Sequence, residues 1–152
     1  MFKWEVWAET KAKSNSECVW DIWTDVGSWP TWDHELEWSN LNGPFKIGTK
    51  GKLKPKGWPA SEFCIISVEE GKSHSDKTVM PLTKIIFNHE LKQLDNNTTY
   101  IRHHVTVSGL LAPLLWLTMR RTLKKGLPKA VQALARLAES KMEEQVRPAT
   151  NK

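Results

Sequence analysis

Two histidines carry the clearest chemical content in this chain. In the stretch Thr83 to Leu94, Ile85, Phe87, His89 and Leu91 share one face of a strand, and Lys84, Asn88, Glu90 and Lys92 share the other. In Thr98 to Ser108, Ile101, His103, Val105 and Val107 share a face opposite Tyr100, Arg102, His104 and Thr106. With Asp95-Asn96-Asn97 as a three-residue hairpin loop, Leu94 faces Thr98, and counting pairs Leu91 with Ile101, Phe87 with Val105, and His89 directly with His103. Two imidazoles side by side on an apolar inner face can hold a polar group of a bound molecule. They can also take up and return a proton, since imidazole titrates near neutrality. Satisfied by hydroxyls or carbonyls, they would simply fill space. Burial without an acid partner keeps at least one of them neutral. His89 and His103 are therefore the candidates both for catalysis and for ligand contact. No metal or other cofactor is expected: the two histidines lack a third ligand, and Asp33 and His34 lie far away in sequence.

Tryptophan is the second unusual feature, with nine in 152 residues. Trp20, Trp23, Trp29, Trp32 and Trp38 gather in one stretch, where they can plug two short helices onto a sheet. Alternatively, Trp29, Trp32, Trp38 and Trp58 line a pocket mouth and offer flat faces to an apolar or aromatic guest. A third feature is Leu110 to Leu117, apolar on all sides and followed by Arg120, Arg121, Lys124 and Lys125. It reads as a helix start covered by loops, a lid, or a patch that touches a membrane or a partner. No Gly-rich phosphate loop, H-E-x-x-H, G-x-S-x-G or zinc-spaced cysteine pattern is present, so an enzymatic reading rests on the histidines alone.

The elements that must position these residues follow from periodicity. Phe2, Trp4, Val6 and Ala8 alternate with charged residues as a first strand. Ser14 to Glu17 supplies a helix cap before Cys18, Val19, Ile22 and Trp23, and Pro30 forces a second short helical turn that carries Trp29 and Trp32. Leu36 and Trp38 share one side of the next strand, with Glu35 and Glu37 on the other. Further strands read as Thr49 to Leu53, Glu62 to Val68 (apolar on both sides, hence near the middle of the sheet) and Ser73 to Val79 (polar, hence more exposed) before the two histidine strands. From Gly109 to Met142 the spacing predicts one long helix with a step at Gly126-Leu127-Pro128. Leu111, Leu115, Met119 and Leu123 form its first buried stripe, and Leu127, Val131, Leu134, Ala138 and Met142 its second. The expected fold is α+β: a seven-stranded curved antiparallel sheet wrapped around a long C-terminal helix, with two short helices after the first strand.

At 152 residues this is one domain, residues 1–145, with a flexible tail over 146–152. The formal net charge of +5 is scattered along the chain, which gives no footprint for nucleic acid. Cys18 and Cys64 suit thiols in a reducing compartment, with a single disulfide between them as the alternative. Met1 to Glu5 mixes charge with apolar residues and has no signal-peptide core, and no run is long enough to span a membrane, so the expected location is cytoplasmic.

Several stretches resemble the polyketide cyclase/dehydrase branch of the START-like superfamily, which shares the helix-grip fold with the birch pollen allergen. They are Val19 to Asp25, Trp29-Pro30-Thr31-Trp32-Asp33, Gly43 to Gly51, Phe87-Asn88-His89-Glu90-Leu91, Val107-Ser108-Gly109, and the helix through Leu127-Pro128. The resemblance implies a cavity under the long helix that binds an apolar, aromatic, polyketide-like or lipid-like molecule; only some members catalyse. In that cavity Phe87, Val105, Leu111, Leu115 and Met119 would supply apolar wall, Trp32 and Trp38 the mouth, and His89 with His103 the polar anchor. The rival readings are a cyclase or dehydratase that moves a proton through the same histidines, and a lipid-delivery protein that docks on membranes through Leu110 to Leu117.

Overall fold

The structure is a computed structural model that describes residues 2–147. Strand β1 (Lys3–Ala12) leads into helix α1 (Ser16–Thr24) and a 3-10 helix (Val26–Thr31). Six strands follow, β2 (Leu36–Leu41), β3 (Lys50–Pro55), β4 (Ser61–Glu69), β5 (Ser73–Met80), β6 (Thr83–Asp95) and β7 (Thr98–Gly109), and then helix α2 (Ala112–Val146). The Asn15 side chain caps α1 by accepting from the Cys18 N–H at 2.9 Å. Every sheet pairing is antiparallel, and the order is β1-β7-β6-β5-β4-β3-β2. The curved seven-stranded sheet and long C-terminal helix are the helix-grip arrangement expected from the sequence.

Helix α2 packs chiefly along β1, with further contact to β7 and α1. Its two halves differ. Leu127, Ala130, Val131, Leu134, Ala135 and Ala138 are buried, whereas from 113 to 125 only Leu115 is buried, with Met119 and Leu123 partly so. Pro128 lies inside one continuous helix, so the step in the sequence does not break it. Gly109 ends β7 in the left-handed region, φ 122°, and a Cβ there would collide with the Leu82 carbonyl oxygen. Val146 still belongs to α2, and residues 148–152 of the expected tail lie outside the described residues. Both cysteines are free thiols, Cys18 buried and Cys64 part-buried.

Two expectations about strands need correction, and a third holds. β5, read as polar and exposed, is the central strand, and His74, Asp76 and Thr78 along it are buried. β4, read as apolar on both sides and near the middle of the sheet, does lie beside the central strand; it buries Phe63 and Ile65 and exposes Ile66. In β2 the pairing with β3 slips between Leu36 and Trp38, and this bulge reverses the alternation. Ser39 is thereby turned inward, where its hydroxyl donates to the Val26 carbonyl at 2.6 Å, while Trp38 is turned outward.

Candidate functional site

Register places the site. Across the concave face, Val68 pairs with His74, His74 with His89, His89 with His103 and His103 with Ala8, so three histidines stand in one row over β5, β6 and β7. The neighbouring row runs Ile65, Asp76, Phe87, Val105, Val6. The β6–β7 connection is tighter than a three-residue loop, because Asp95 pairs with Thr98 and Leu94 is a bulge. The bulge compensates for the shorter turn, and His89 still faces His103.

Trp23, fully buried at the end of α1, organises this row. Its ring lies 5.1, 5.7 and 5.8 Å from those of His74, His89 and His103. Its Nε1–H donates to His103 Nε2 at 3.2 Å, and since indole nitrogen only donates, His103 carries its own proton on Nδ1. His74 and His89 stack face to face at 4.1 Å with 13° between planes, and His89 meets His103 edge to face at 4.6 Å. Trp20 and Phe45 close the far side of His74. Neither nitrogen of His74 nor Nδ1 of His89 has a hydrogen-bond partner among the described residues.

Burial sets the protonation. It holds His74 and His103 well below the usual imidazole range and lowers His89 to about 4, so all three are neutral at neutral pH. Two stacked imidazolium ions could not share such a space. Asp76 stands two residues from His74 on the same face, and burial pushes its carboxyl up to about 8.

Asp76, His89 and His103 lie on the floor of a cavity of about 120 Å³ between sheet and helix, and His74 is buried outside its lining. Asp76, His89 and His103 are among its polar lining, with Phe87 and Val105 beside them, and Met119, Leu123, Gly126, Leu127 and Ala130 of α2 belong to the roof. The rim comprises Asp33, Glu35, Leu36, Leu53, Pro55, Lys56, Trp29, Trp32 and Trp58. Trp29 stacks on Phe63 at 5.5 Å and donates to the Trp23 carbonyl at 2.9 Å, whereas Trp32 Nε1 is buried without a partner among the described residues. Asp33 is raised to about 6, mainly by burial.

Of the residues singled out in the sequence, His89, His103, Phe87, Val105, Trp32 and Met119 come together around this space. Trp38, Leu111 and Leu115 do not. Trp38 faces outward beyond the β2 bulge, Leu111 is the N-cap of α2, and Leu115 is buried in the core outside the cavity lining. His74 and Asp76 escaped the sequence reading because β5 is polar on both faces and shows no hydrophobic alternation.

A second surface feature lies at one end of the molecule. Phe2, Leu82, Leu110, Leu114, Trp116 and Leu117 are all exposed, the last at 72%. The Leu110 N–H donates to the Leu82 carbonyl and the Gly109 N–H to that of Phe2, which ties the three segments together. Arg120, Arg121, Lys124 and Lys125 share a groove with Trp116 and Leu117, and the Arg120 guanidinium sits 5.3 Å from the Trp116 ring.

A family model described as "Polyketide cyclase / dehydrase and lipid transport" matches residues 4–139. No curated protein matches in sequence. Among solved structures, norcoclaurine synthase from Thalictrum flavum, in complex with dopamine and hydroxybenzaldehyde, superposes with a TM-score of 0.69 at 11% identity, over 91% of this chain and 88% of that one. The Zhui aromatase/cyclase from a Streptomyces species gives 0.69 at 12% identity, over 99% and 100% of the two chains. A START superfamily protein from Mycobacterium smegmatis gives 0.63 at 14%, over 93% and 99%. At these identities the likeness is one of fold. No helix among the described residues is long and apolar enough to cross a membrane.

Proposed function

Because the chain belongs to the polyketide cyclase/dehydrase and lipid-transport family, we propose that it binds a small apolar molecule, aromatic or alicyclic, in the cavity under α2. The observation that carries this reading is the composition of that space: apolar walls around convergent polar groups, His89, His103 and Asp76, on its floor. Its size narrows the guest. A volume of about 120 Å³ is close to the ~150 Å³ that holds a single benzene ring, so a one-ring molecule fits as it stands. A multi-ring polyketide or a lipid chain requires the half-buried roof of α2 to move. Neutral His103, protonated at Nδ1, offers a donor to a carbonyl or phenolic oxygen, and His89 offers either an acceptor or a donor.

The test is native mass spectrometry of freshly purified protein, followed by denaturation and identification of the released molecule, then titration with single-ring phenols and ketones. A stoichiometric apolar passenger or micromolar binding supports the reading; no passenger and no binding across that series rejects it. His89→Ala then separates a binder from an enzyme of the cyclase or dehydratase type. Equal loss of binding and turnover marks an anchor, and loss of turnover with binding retained marks a proton carrier.

A second reading, delivery of such a molecule at an anionic membrane surface, is favoured by Leu82. This residue sits at the tip of the β5–β6 hairpin with φ 59° and 67% exposure. A left-handed leucine costs about 1–2 kcal/mol, and its exposed side chain recovers little of that within the molecule. With Leu110, Leu114 and Leu117 beside it and four basic residues next to them, it fits an interface that buries apolar tips among anionic headgroups. Vesicles of phosphatidylcholine with phosphatidylserine should carry the protein down on centrifugation, less so as salt rises. Leu82→Gly should weaken that binding while making the fold more stable. Absent or salt-insensitive binding removes the reading.

A further inference from the structure

We infer that His74, Asp76 and His89 form a binding site for one divalent transition-metal ion at the edge of the cavity floor, where Asp76 and His89 line the cavity and His74 is buried beside them. Each residue offers a ligand atom, and these three atoms lie within 4.8 Å of one another. They come from two paired strands at the centre of the sheet, so their Cα positions are set by backbone hydrogen bonding rather than by loops. All three are nine-tenths or more buried: His74 is 1% exposed, Asp76 2% and His89 7%. The unpartnered nitrogens on both histidines are the second observation. A buried donor or acceptor left unpaired costs about 1–3 kcal/mol, and ligation of one nitrogen from each ring removes part of that penalty.

The donor set selects the class of ion. Two neutral imidazoles and one carboxylate, the latter formed as Asp76 releases its proton to solvent on loading, suit Zn²⁺ with an open fourth position, or Fe²⁺ with several, whereas Ca²⁺ and Mg²⁺ require shells of oxygen. Bonds of about 2.0–2.1 Å place the ligand atoms of one four-coordinate ion roughly 3.3 Å apart. Loading therefore shortens the separations between ligand atoms by up to about 1.5 Å, and the stacked His74 and His89 rings tilt towards a common apex. Trp23, Trp20 and Phe45 enclose His74 and restrict where its ring can turn. His103 is not a ligand in this arrangement: Trp23 occupies its Nε2, and its Nδ1–H remains a donor for whatever fills the open position. The site does not depend on the proposed apolar guest and can be tested without one.

The protein is purified in full length, its metal content measured by plasma mass spectrometry, and the chelator-stripped protein titrated calorimetrically with Zn²⁺ and spectroscopically with Co²⁺. One equivalent bound is expected, with Co²⁺ giving visible ligand-field bands. Asp76→Asn and His74→Phe should each weaken binding at least about 100-fold, since loss of even an outer-shell partner costs 10–100-fold. His104→Ala, which removes the surface His104–Glu5 pair, should leave it unchanged. Zinc- or iron-edge absorption spectroscopy of the wild-type protein, which needs no variant to fold, should show two imidazoles and one oxygen ligand from the chain. Failure of the wild type to bind one equivalent overturns the assignment. So does undiminished binding in the two ligand variants, loss in His104→Ala, or an absorption spectrum without an imidazole shell.

Discussion

Asp33 shows how the cavity rim couples charge to stability. Burial raises its carboxyl from 3.8 to about 6, so the folded protein holds that proton more tightly than the unfolded chain does. Its contribution to stability is full below pH 4, is lost as the pH rises through 6, and is constant above that. Asp33→Asn keeps an oxygen to accept the Glu35 N–H and removes the buried charge. The variant should be more stable than wild type by up to about 3 kcal/mol at pH 7.5, with the difference gone by pH 4. Denaturant titrations at the two pH values check this, and an equal gain at both would refute it. At this scale half of the site was legible. His89 and His103 sit in strands whose apolar neighbours alternate cleanly, and counting across one hairpin was enough to pair them. His74 and Asp76 sit in Ser-His-Ser-Asp-Lys-Thr, where both faces are polar. Only topology could have found them: a strand joined by short turns to a strand on each side is internal, and an internal strand on a covered sheet buries one face whatever its composition.

The elements carry the site through one close approach and one interruption of regular structure. Where α2 crosses the cavity, Gly126 lets the helix approach the rim, and a Cβ there would lie 3.1 Å from Glu35 Cγ. Glu35 is exposed and can shift by the few tenths of an ångström required. Gly126→Ala should therefore gain about 0.5–1 kcal/mol from helix propensity, read as a higher denaturation midpoint with an unchanged slope. A loss of stability instead would mean that the rim cannot yield. The β2 bulge is the interruption. Strict alternation put Trp38 beside Leu36, and one extra residue in the strand sent it to the opposite face. Nothing in Leu-Glu-Trp-Ser-Asn-Leu announces that bulge, because a bulge is set by what the strand pairs with. The helix stripes were legible as burial but not as function. Leu111 and Leu115 belong to the same stripe as Met119 and Leu123, yet the stripe extends past the end of the cavity, and only its later residues look into it.

At the scale of the whole molecule, cavity and fold are coupled by mass action. A guest that binds only the folded protein stabilises it by about 2.7 kcal/mol at a hundred times its Kd. For a domain of this length that corresponds to a rise in Tm of roughly 5–11 °C. Thermal scans against single-ring phenols should find such a shift, and His89→Ala should reduce it; a shift of equal size in the variant would remove His89 from the site. The overall architecture was legible because seven strand-like stretches with short connections and one long amphipathic helix leave few ways to pack. The pairing of β1 with β7 also has a kinetic consequence. From β2 to β7 every strand pairs with its neighbour in the chain, so those contacts close short loops, whereas Lys3 must find Ser108 from the far end of the sequence. Loop-closure entropy places that step late on the folding path. Since α2 rests mainly on β1, the roof waits for it too. Pulse-labelled amide exchange during refolding should then show β6 and β7 protected before β1 and the first half of α2. A nascent chain would carry its histidine row assembled but uncovered, open to any small molecule or ion present at that moment, before the enclosure that later restricts entry exists.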